Sequence, residues 1–192
     1  MKEIILIGGG GHCKSVIDVI EHDGSFKIVG IVDKSNLIGT DVLGYKIIAS
    51  DNDLPKLAKK HKYAIVSIGQ IKSPSLRIQL YDTAIKLGFI LPSIISPNAY
   101  VSKYAKLGSG TIIMNHAIVN ANASVGDNCI VNTKALIEHD CSISHHCHIS
   151  TNATINGGAT IESGCFIGSN STTKELVKIT KNSFIKAGSL VL

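Results

Sequence analysis

The chain has 192 residues, of which 44% are hydrophobic and 17% charged, with a formal net charge of +5. This composition excludes a disordered chain, and no apolar run approaches the roughly 20 residues that a membrane-spanning helix needs. The lysines are dispersed, Arg77 is the only arginine and no signal-peptide pattern precedes the first glycines, so we expect a cytoplasmic protein that binds neither nucleic acid nor membrane.

The N-terminal half, residues 1–92, alternates between strand-like and helix-like segments. Strands are predicted at Glu3–Ile7, Lys27–Val32 and Tyr63–Ile68, and helices from the first glycines to about Glu21 and over Leu76–Leu87. This alternation predicts a small α/β domain with a parallel sheet and a Rossmann-like beginning.

A glycine run separates the first strand from the first helix. Such a run lets backbone N–H groups approach a phosphate at the helix N-terminus. Cys13 stands where a dinucleotide fingerprint has its third glycine, and one mononucleotide-binding half is too small for NAD. A nucleoside diphosphate fits better, with Asp33 at the end of the second strand available to the ribose or the base. The alternative is that the glycines only make a tight turn.

The second half, residues 93–192, carries a repeat of six residues. Every sixth residue from Ile95 to Val191 is aliphatic except Thr173, and the residue two positions earlier is small at all but one place. A period of six fits a prism whose three flat sides take six residues each, with the aliphatic residues inside. Glycine, asparagine and serine often follow the aliphatic position, where we expect the turns. The fold class is therefore a left-handed parallel β-helix of hexapeptide repeats behind an α/β domain.

The repeat also explains four of the five cysteines, because each occupies the small position: Cys129, Cys141, Cys147 and Cys165. We expect small buried side chains there, with neither a metal site nor a disulfide.

Among the eight histidines, His139 has the most distinctive setting, because Glu138 and Asp140 flank it. A carboxylate that accepts one ring N–H raises the basicity of the other nitrogen, which suits a general base. The periodicity alone leaves His139 open between a base and an exposed corner residue.

The Gly-Gly-His loop, the Val-Asp and Ser-Ile-Gly segments and the runs Val131–Thr133, Ile137–Asp140 and His148–Ser150 resemble one family across nearly the whole chain. It is the NeuD/PglD-like family of hexapeptide-repeat sugar acetyltransferases. Its members N-acetylate UDP-linked 4-amino sugars in bacterial glycan biosynthesis or O-acetylate sialic acid.

The resemblance implies a role for each matching residue. His139 would be the general base with Asp140, or else Glu138, as its carboxylate, and Asn132 would position the acceptor. Acetyl-CoA would contact His148 and the backbone N–H of Gly157, with Ser169 and Ala187 along the pantetheine. The nucleotide-sugar residues would be Gly10, Gly11, His12, Asp33, Lys34 and Gly69. The resemblance also implies a homotrimer with active sites between subunits.

The resemblance favours N-acetylation of a UDP-type amino sugar, and O-acetylation of a sialic-acid-like sugar stays open because the same base serves both reactions. A nucleotide-sugar sensor without catalysis is a further alternative, which the setting of His139 disfavours.

Two features depart from the family. Its usual tail with a Gly-x-Pro-Ala-Lys-like segment does not follow Val191, which leaves contacts to the distal part of CoA open, and we expect the coil around Thr173 to be loosened.

Overall fold

The computed structural model describes residues 1–192, and the chain forms two compact units. The first comprises Met1–Gly69 and Leu76–Pro92, and the second comprises Gln70–Ser75 and Ser93–Leu192. The segment of residues 70–75 therefore groups with the second unit. No helix in either unit has the length and apolar character needed to cross a bilayer.

The first unit is a five-stranded sheet with helices. Its elements in chain order are β1 (Lys2–Ile7), α1 (Gly11–Asp23), β2 (Phe26–Val32), β3 (Asp41–Val42), β4 (Tyr45–Ala49), α2 (Leu54–Ala58), β5 (Tyr63–Val66) and α3 (Ser75–Lys86). Short 3₁₀ turns cover Ser35–Leu37 and Asp51–Asp53. The strand order is β3-β4-β2-β1-β5, and every pair is parallel except β3 with β4.

The β3–β4 hairpin was not expected from the sequence. Its two-residue turn consists of Leu43 at φ 50° and Gly44 at φ 85°, so both residues are left-handed, as this kind of tight hairpin requires. Leucine replaces the asparagine or aspartate that usually marks such a turn, and the sequence signal is therefore missing.

The second unit is a left-handed β-helix made of seventeen two-residue strands, as the hexapeptide repeat predicts. The strands are β6 (Ile94–Ile95), β7 (Tyr100–Val101), β8 (Lys106–Leu107), β9 (Ile112–Ile113), β10 (Ile118–Val119), β11 (Ser124–Val125), β12 (Ile130–Val131), β13 (Leu136–Ile137), β14 (Ser142–Ile143), β15 (His148–Ile149), β16 (Thr154–Ile155), β17 (Thr160–Ile161), β18 (Phe166–Ile167), β19 (Thr172–Thr173), β20 (Lys178–Ile179), β21 (Phe184–Ile185) and β22 (Leu190–Val191).

Three parallel sheets form the sides of the prism. We name them face 1 (β6, β9, β12, β15, β18, β21), face 2 (β7, β10, β13, β16, β19, β22) and face 3 (β8, β11, β14, β17, β20). Each strand pairs with the strand one coil away, so Ile112 lies opposite Ile130 and Ile118 opposite Leu136. Residues 18 apart in sequence are therefore stacked neighbours.

The corners differ from the sequence-based expectation. The turn residues lie two and three positions after the aliphatic residue, not directly after it, and most of the third positions are left-handed. Asn122 has φ 60° and Asp140 has φ 61°. Asparagine, aspartate and glycine tolerate this conformation because short polar side chains or the missing Cβ relieve the clash with the backbone.

The repeating aliphatic and small residues form one continuous core inside the prism, and the four repeat cysteines are buried thiols without disulfides. Thr173 stays buried at the break in the repeat. Its Oγ1 accepts the backbone N–H of Asn156 at 3.0 Å, while the Asn156 side chain donates to the Thr173 carbonyl at 2.8 Å. A side-chain bond thus replaces one bond of the ladder, and the coil keeps its position.

Candidate active site

The corner that follows β13 carries an open groove of about 490 Å³. It is lined by Glu138, His139, Asp140, Asn156, Gly157, Gly158, Glu175 and Leu176. These residues come from three successive coils at the same corner, so the 18-residue coil length brings them together.

His139 projects from this corner with 64% of its side chain exposed. Its Nδ1 lies 2.8 Å from Oδ2 of Asp140, and Oδ1 of Asp140 accepts the Nδ2–H of Asn122 at 2.6 Å. Because a carboxylate can only accept, the ring carries a proton on Nδ1, and in its neutral form it leaves Nε2 unprotonated.

The same contacts set the charges of the pair. The hydrogen bond to Asp140 raises the pKa of His139, and the nearby charges of Asp140 and Glu138 add to this effect. Hydrogen bonds from Asn122 and then from His139 lower the pKa of Asp140. Asp140 therefore stays ionised beside a histidine made more basic, which is the arrangement of a general base.

Glu138 faces a different set of groups. Its Oε2 accepts the side chain of Asn120 at 2.9 Å and the backbone N–H of His139 at 3.3 Å. Asp140, not Glu138, therefore holds the imidazole ring in this structure.

Gly157 lies directly over the imidazole of His139. A Cβ at position 157 would be 2.9 Å from both Cε1 and Nε2 of the ring, so only glycine leaves space at Nε2. The backbone N–H of Gly157 has no hydrogen-bond partner within the chain. The side chain of Leu176, which is stacked on Gly158 because the two residues are 18 apart, covers Gly158. A Cβ at position 158 would lie 2.5 Å from Cδ2 of Leu176.

Asn132 and His148 do not line this groove. Asn132 directly follows β12, at the corner between face 1 and face 2, whereas His139 lies at the corner between face 2 and face 3. His148 is on face 1 and is 6% exposed. Its Nε2 lies 3.1 Å from Nδ2 of Asn132.

Ser169 and Ala187 share the corner of Asn132. They are 18 residues apart and therefore stacked, and Oγ of Ser169 lies 2.9 Å from Oγ of Ser150. The two sets of β-helix residues predicted from the sequence thus occupy opposite edges of face 2 in one chain.

In the first unit, the loop after β1 meets the end of β2. Oδ2 of Asp33 accepts the N–H of Gly9 at 2.5 Å, and Oδ1 accepts the N–H of Lys34 at 2.7 Å. A Cβ added to Gly10 or Gly11, at the start of α1, would meet no atom within 4 Å, so the backbone there faces open space. The N-terminus of α1 has no side-chain cap and no acidic residue in its first turn.

Gly69 completes this group, because a Cβ there would lie 3.6 Å from Cβ of His12. A polar groove of about 250 Å³ adjoins Asp33 and Lys34 and is lined further by Ser35, Ser50, Asp51 and Asn52. Burial raises the pKa of Asp51, and the charge of Asp33 acts in the same direction.

Comparisons with known proteins identify the family of the chain. The PglD N-terminal domain matches residues 3–84. PerB from Caulobacter crescentus, in complex with CoA and GDP-perosamine, is 31% identical over 100% of this chain and 89% of that chain, with a TM-score of 0.93. The chain belongs to the NeuD/PglD-like family of sugar acetyltransferases.

Two further solved structures support the same relationship. A variant of the perosamine N-acetyltransferase from Caulobacter crescentus, with CoA and GDP-perosamine, is 30% identical over 100% of this chain and 89% of that chain, with a TM-score of 0.93. The acetyltransferase domain of PglB from Neisseria gonorrhoeae FA1090, with acetyl coenzyme A, is 28% identical over 99% of this chain and 92% of that chain, with a TM-score of 0.90. Curated protein sequences give no match.

Three residues of this acetyltransferase support the site without having been singled out in the sequence. Asn120 and Asn122 hold Glu138 and Asp140 from the coil below. Each lies 18 residues before its partner, and the coil length could have revealed both contacts. Gln70, whose carbonyl lies 2.6 Å from Nδ1 of His148, belongs to no repeat and had no comparable signal.

Proposed function

We propose that the enzyme transfers an acetyl group from acetyl-CoA to the amino group of a nucleotide-linked amino sugar, with His139 as the general base. The observation that carries this proposal is the Asp140–His139 pair, whose Nδ1 faces the carboxylate while Nε2 lies beneath Gly157. The ligands of the relatives, CoA with GDP-perosamine and acetyl coenzyme A, support the choice of donor and of acceptor class.

The chemistry follows from the position of these groups. The amine lone pair attacks the thioester carbonyl carbon while Nε2 of His139 takes a proton from the nitrogen. Negative charge develops on the carbonyl oxygen, where the unpaired N–H of Gly157 would donate a hydrogen bond. The tetrahedral intermediate then breaks its C–S bond, and the CoA sulfur leaves and accepts a proton, which the imidazolium can return. Asp140 stabilises the imidazolium during this cycle.

The division of labour between the units is part of the proposal. Residues 1–92 would hold the nucleotide sugar, with the diphosphate at the backbone N–H groups of Gly10, Gly11 and His12. Asp33, Lys34 and Gly69 would contact the nucleoside. Residues 93–192 would carry acetyl transfer. The sequence resemblance predicts a UDP-type nucleotide and the PerB ligand is a GDP sugar, so both belong in the assay.

A homotrimer with active sites between subunits is also proposed. Asn132 and His139 lie at opposite edges of face 2, so a second copy would have to bring the one to the other. Face 2 itself exposes large apolar side chains, with Tyr100 at 58%, Ile118 at 37% and Leu190 at 67% exposure. Tyr100 and Ile118 are stacked neighbours, and exposed apolar side chains that lie together are typical of a surface that associates. Sedimentation equilibrium tests it, and a monomer at working concentration would contradict it.

The deciding experiment is CoA release from acetyl-CoA with three acceptor panels: UDP-linked amino sugars, GDP-linked amino sugars and sialic-acid-type sugars. Turnover with an amino sugar, and mass spectrometry that places the acetyl group on nitrogen, is the expected result and also identifies the nucleotide. Turnover only with the third panel would replace the proposal with O-acetylation. No CoA release with any of the three panels would contradict the proposed function.

A further inference from the structure

A continuous line of hydrogen bonds connects Gln70 to the corner of Asn132. The carbonyl oxygen of Gln70 lies 2.6 Å from Nδ1 of His148, and Nε2 of His148 lies 3.1 Å from Nδ2 of Asn132. Oδ1 of Asn132 is 2.8 Å from the backbone nitrogen of Thr133. Gln70, His148 and the Asn132–Thr133 pair, which come from three separate parts of the sequence, thus form one chain of contacts within the second unit.

The two ends of this line fix the direction of every bond in it. The N–H of Thr133 can only donate, so the atom of Asn132 that faces it is the oxygen, and the NH₂ group faces His148. Nε2 of His148 must then accept. At the other end the Gln70 carbonyl can only accept, so Nδ1 of His148 carries the proton. Both ends give the same neutral Nδ1–H tautomer.

Gln70 is itself held by its side chain. Its Nε2 donates to the carbonyl of His146 at 3.0 Å and is 3.4 Å from that of Cys165, and the residue is 2% exposed. His148 packs edge-on against Phe166, with ring centroids 5.2 Å apart. The amide side chain thus fixes the place of the Gln70 carbonyl on the β-helix, and that carbonyl fixes the ring.

We propose that Gln70 is a positioning residue for acetyl transfer, which acts by holding His148 in the Nδ1–H tautomer and so orienting the amide of Asn132. This inference rests on the proposed function, in which Asn132 acts at the reacting groups. With Oδ1 bonded to Thr133 and one Nδ2 hydrogen directed at His148, the second Nδ2 hydrogen is the donor that Asn132 presents outward. A donor at this point suits an oxygen of the bound substrates, such as the thioester carbonyl or a sugar hydroxyl.

The same geometry limits the part of His148. Both of its ring nitrogens lie within hydrogen-bond distance of groups of the chain, so a contact of Nε2 with acetyl-CoA would have to displace Asn132. His148 therefore acts through Asn132.

The first test observes the tautomer directly. Gln70→Met keeps the length of the side chain and removes both amide bonds to the β-helix, while Gln79→Met makes the same kind of change at a glutamine in α3. Long-range ¹⁵N NMR of the histidine rings, with His148 assigned from a His148→Gln variant, should show a protonated Nδ1 in the wild type and in Gln79→Met. In Gln70→Met the two nitrogens should shift towards a mixture of tautomers. An unchanged His148 spectrum in a folded Gln70→Met would overturn the proposal.

The second test is a double-mutant cycle with the amino-sugar acceptor. Gln70→Met should lower kcat on the order of tenfold and leave the KM for acetyl-CoA within about twofold, because one oriented hydrogen bond is lost and the donor site is kept. Asn132→Ala should lower kcat by at least as much. The double variant should be no slower than Asn132→Ala alone, since Gln70 acts through Asn132.

If the wild-type enzyme is active and the kcat losses of Gln70→Met and Asn132→Ala add up in the double variant, the positioning role of Gln70 is overturned. A wild type that acetylates no amino sugar would refute the proposed function, and the positioning role with it. The two failures are distinguishable because the first needs an active wild-type enzyme. Thermal unfolding of all variants separates both from loss of the fold.

Discussion

The two units place their functional groups by different rules. In the α/β unit, the groups lie where strands end, and Gly9 and Asp33 meet because β1 and β2 are parallel neighbours. In the β-helix, they lie in columns, and Asn122 meets Asp140 because one coil takes 18 residues. The first rule presents mainly backbone N–H groups, and the second presents side chains stacked along one corner.

This difference predicts how each unit responds to substitution. Backbone donors at α1 cannot be removed by changing a side chain, so only residues that shape the loop, such as Asp33, are sensitive there. In the β-helix the proposed base is a single side chain, His139, and Asn122 from one coil away holds the Asp140 carboxylate beside it. We therefore expect the largest effects at the corner of His139 and smaller ones in the α/β unit.

The largest effect is expected for His139→Ala, which should lower kcat on the order of 10²–10⁴ because a positioned base is removed. The fold should be kept, since the side chain is 64% exposed. The matched control is His145→Ala, because His145 also lies near a carboxylate, with Nδ1 3.2 Å from Oδ2 of Asp127. Comparable turnover losses in the two variants, measured by CoA release, would contradict the assignment of His139 as the general base.

The next effect is expected for Gly157→Ala. The new Cβ would stand 2.9 Å from Nε2 of His139 and would displace the ring, so kcat should fall on the order of 10²-fold. Gly157 does not have a left-handed φ, and the melting temperature should change little. Gly158→Ala is the useful comparison, because φ of 68° makes that change costly to stability. If Gly157→Ala unfolds as readily as Gly158→Ala, the loss of activity would not report on His139.

The sequence predicts the faces of the β-helix and the position of His139 because a six-residue repeat turns a local pattern into a three-dimensional one. The successive aliphatic positions at Val131, Ile137 and Ile143 lie one on each face, and the position of His139 in the repeat places it at a corner. The partner of His139 was also predictable, since Asp140 is its neighbour in the chain. Contacts made outside the repeat were not. Gln70 reaches His148 from a segment without periodicity, and only tertiary packing decides where such a segment lies.

A smaller and differently distributed effect is expected for Asp33→Ala. Two backbone N–H groups lose their acceptor, so the free energy of unfolding should fall by about 1–3 kcal/mol and the affinity for the nucleotide sugar on the order of tenfold. The affinity for acetyl-CoA should stay unchanged, because the β-helix is untouched. Isothermal titration with each ligand measures both, and Asp23→Ala, which loses one exposed contact to Ser25, is the control. Equal weakening of both ligands would contradict the division between the units.

The last effect, expected for Asp140→Ala, is smaller than those of His139→Ala and Gly157→Ala at the same corner, and it should appear mainly as a change in pH dependence. The hydrogen bond to Asp140 raises the pKa of His139 above its usual value, and His139 must be neutral to accept a proton. In the wild type, kcat/KM should therefore rise with pH through a pKa above the ordinary histidine value of about 6.5.

Without the carboxylate that pKa falls, so the rising limb should move to lower pH while the plateau drops because a weaker base accepts the proton less readily. Asp127→Ala, at the corner of His145, should leave the profile in place. A limb that stays where it is in Asp140→Ala, or moves to higher pH, would mean that a group other than the Asp140–His139 pair controls proton removal. The stacking of residues 18 apart would then still explain where the groove lies, but the base within it would be another group.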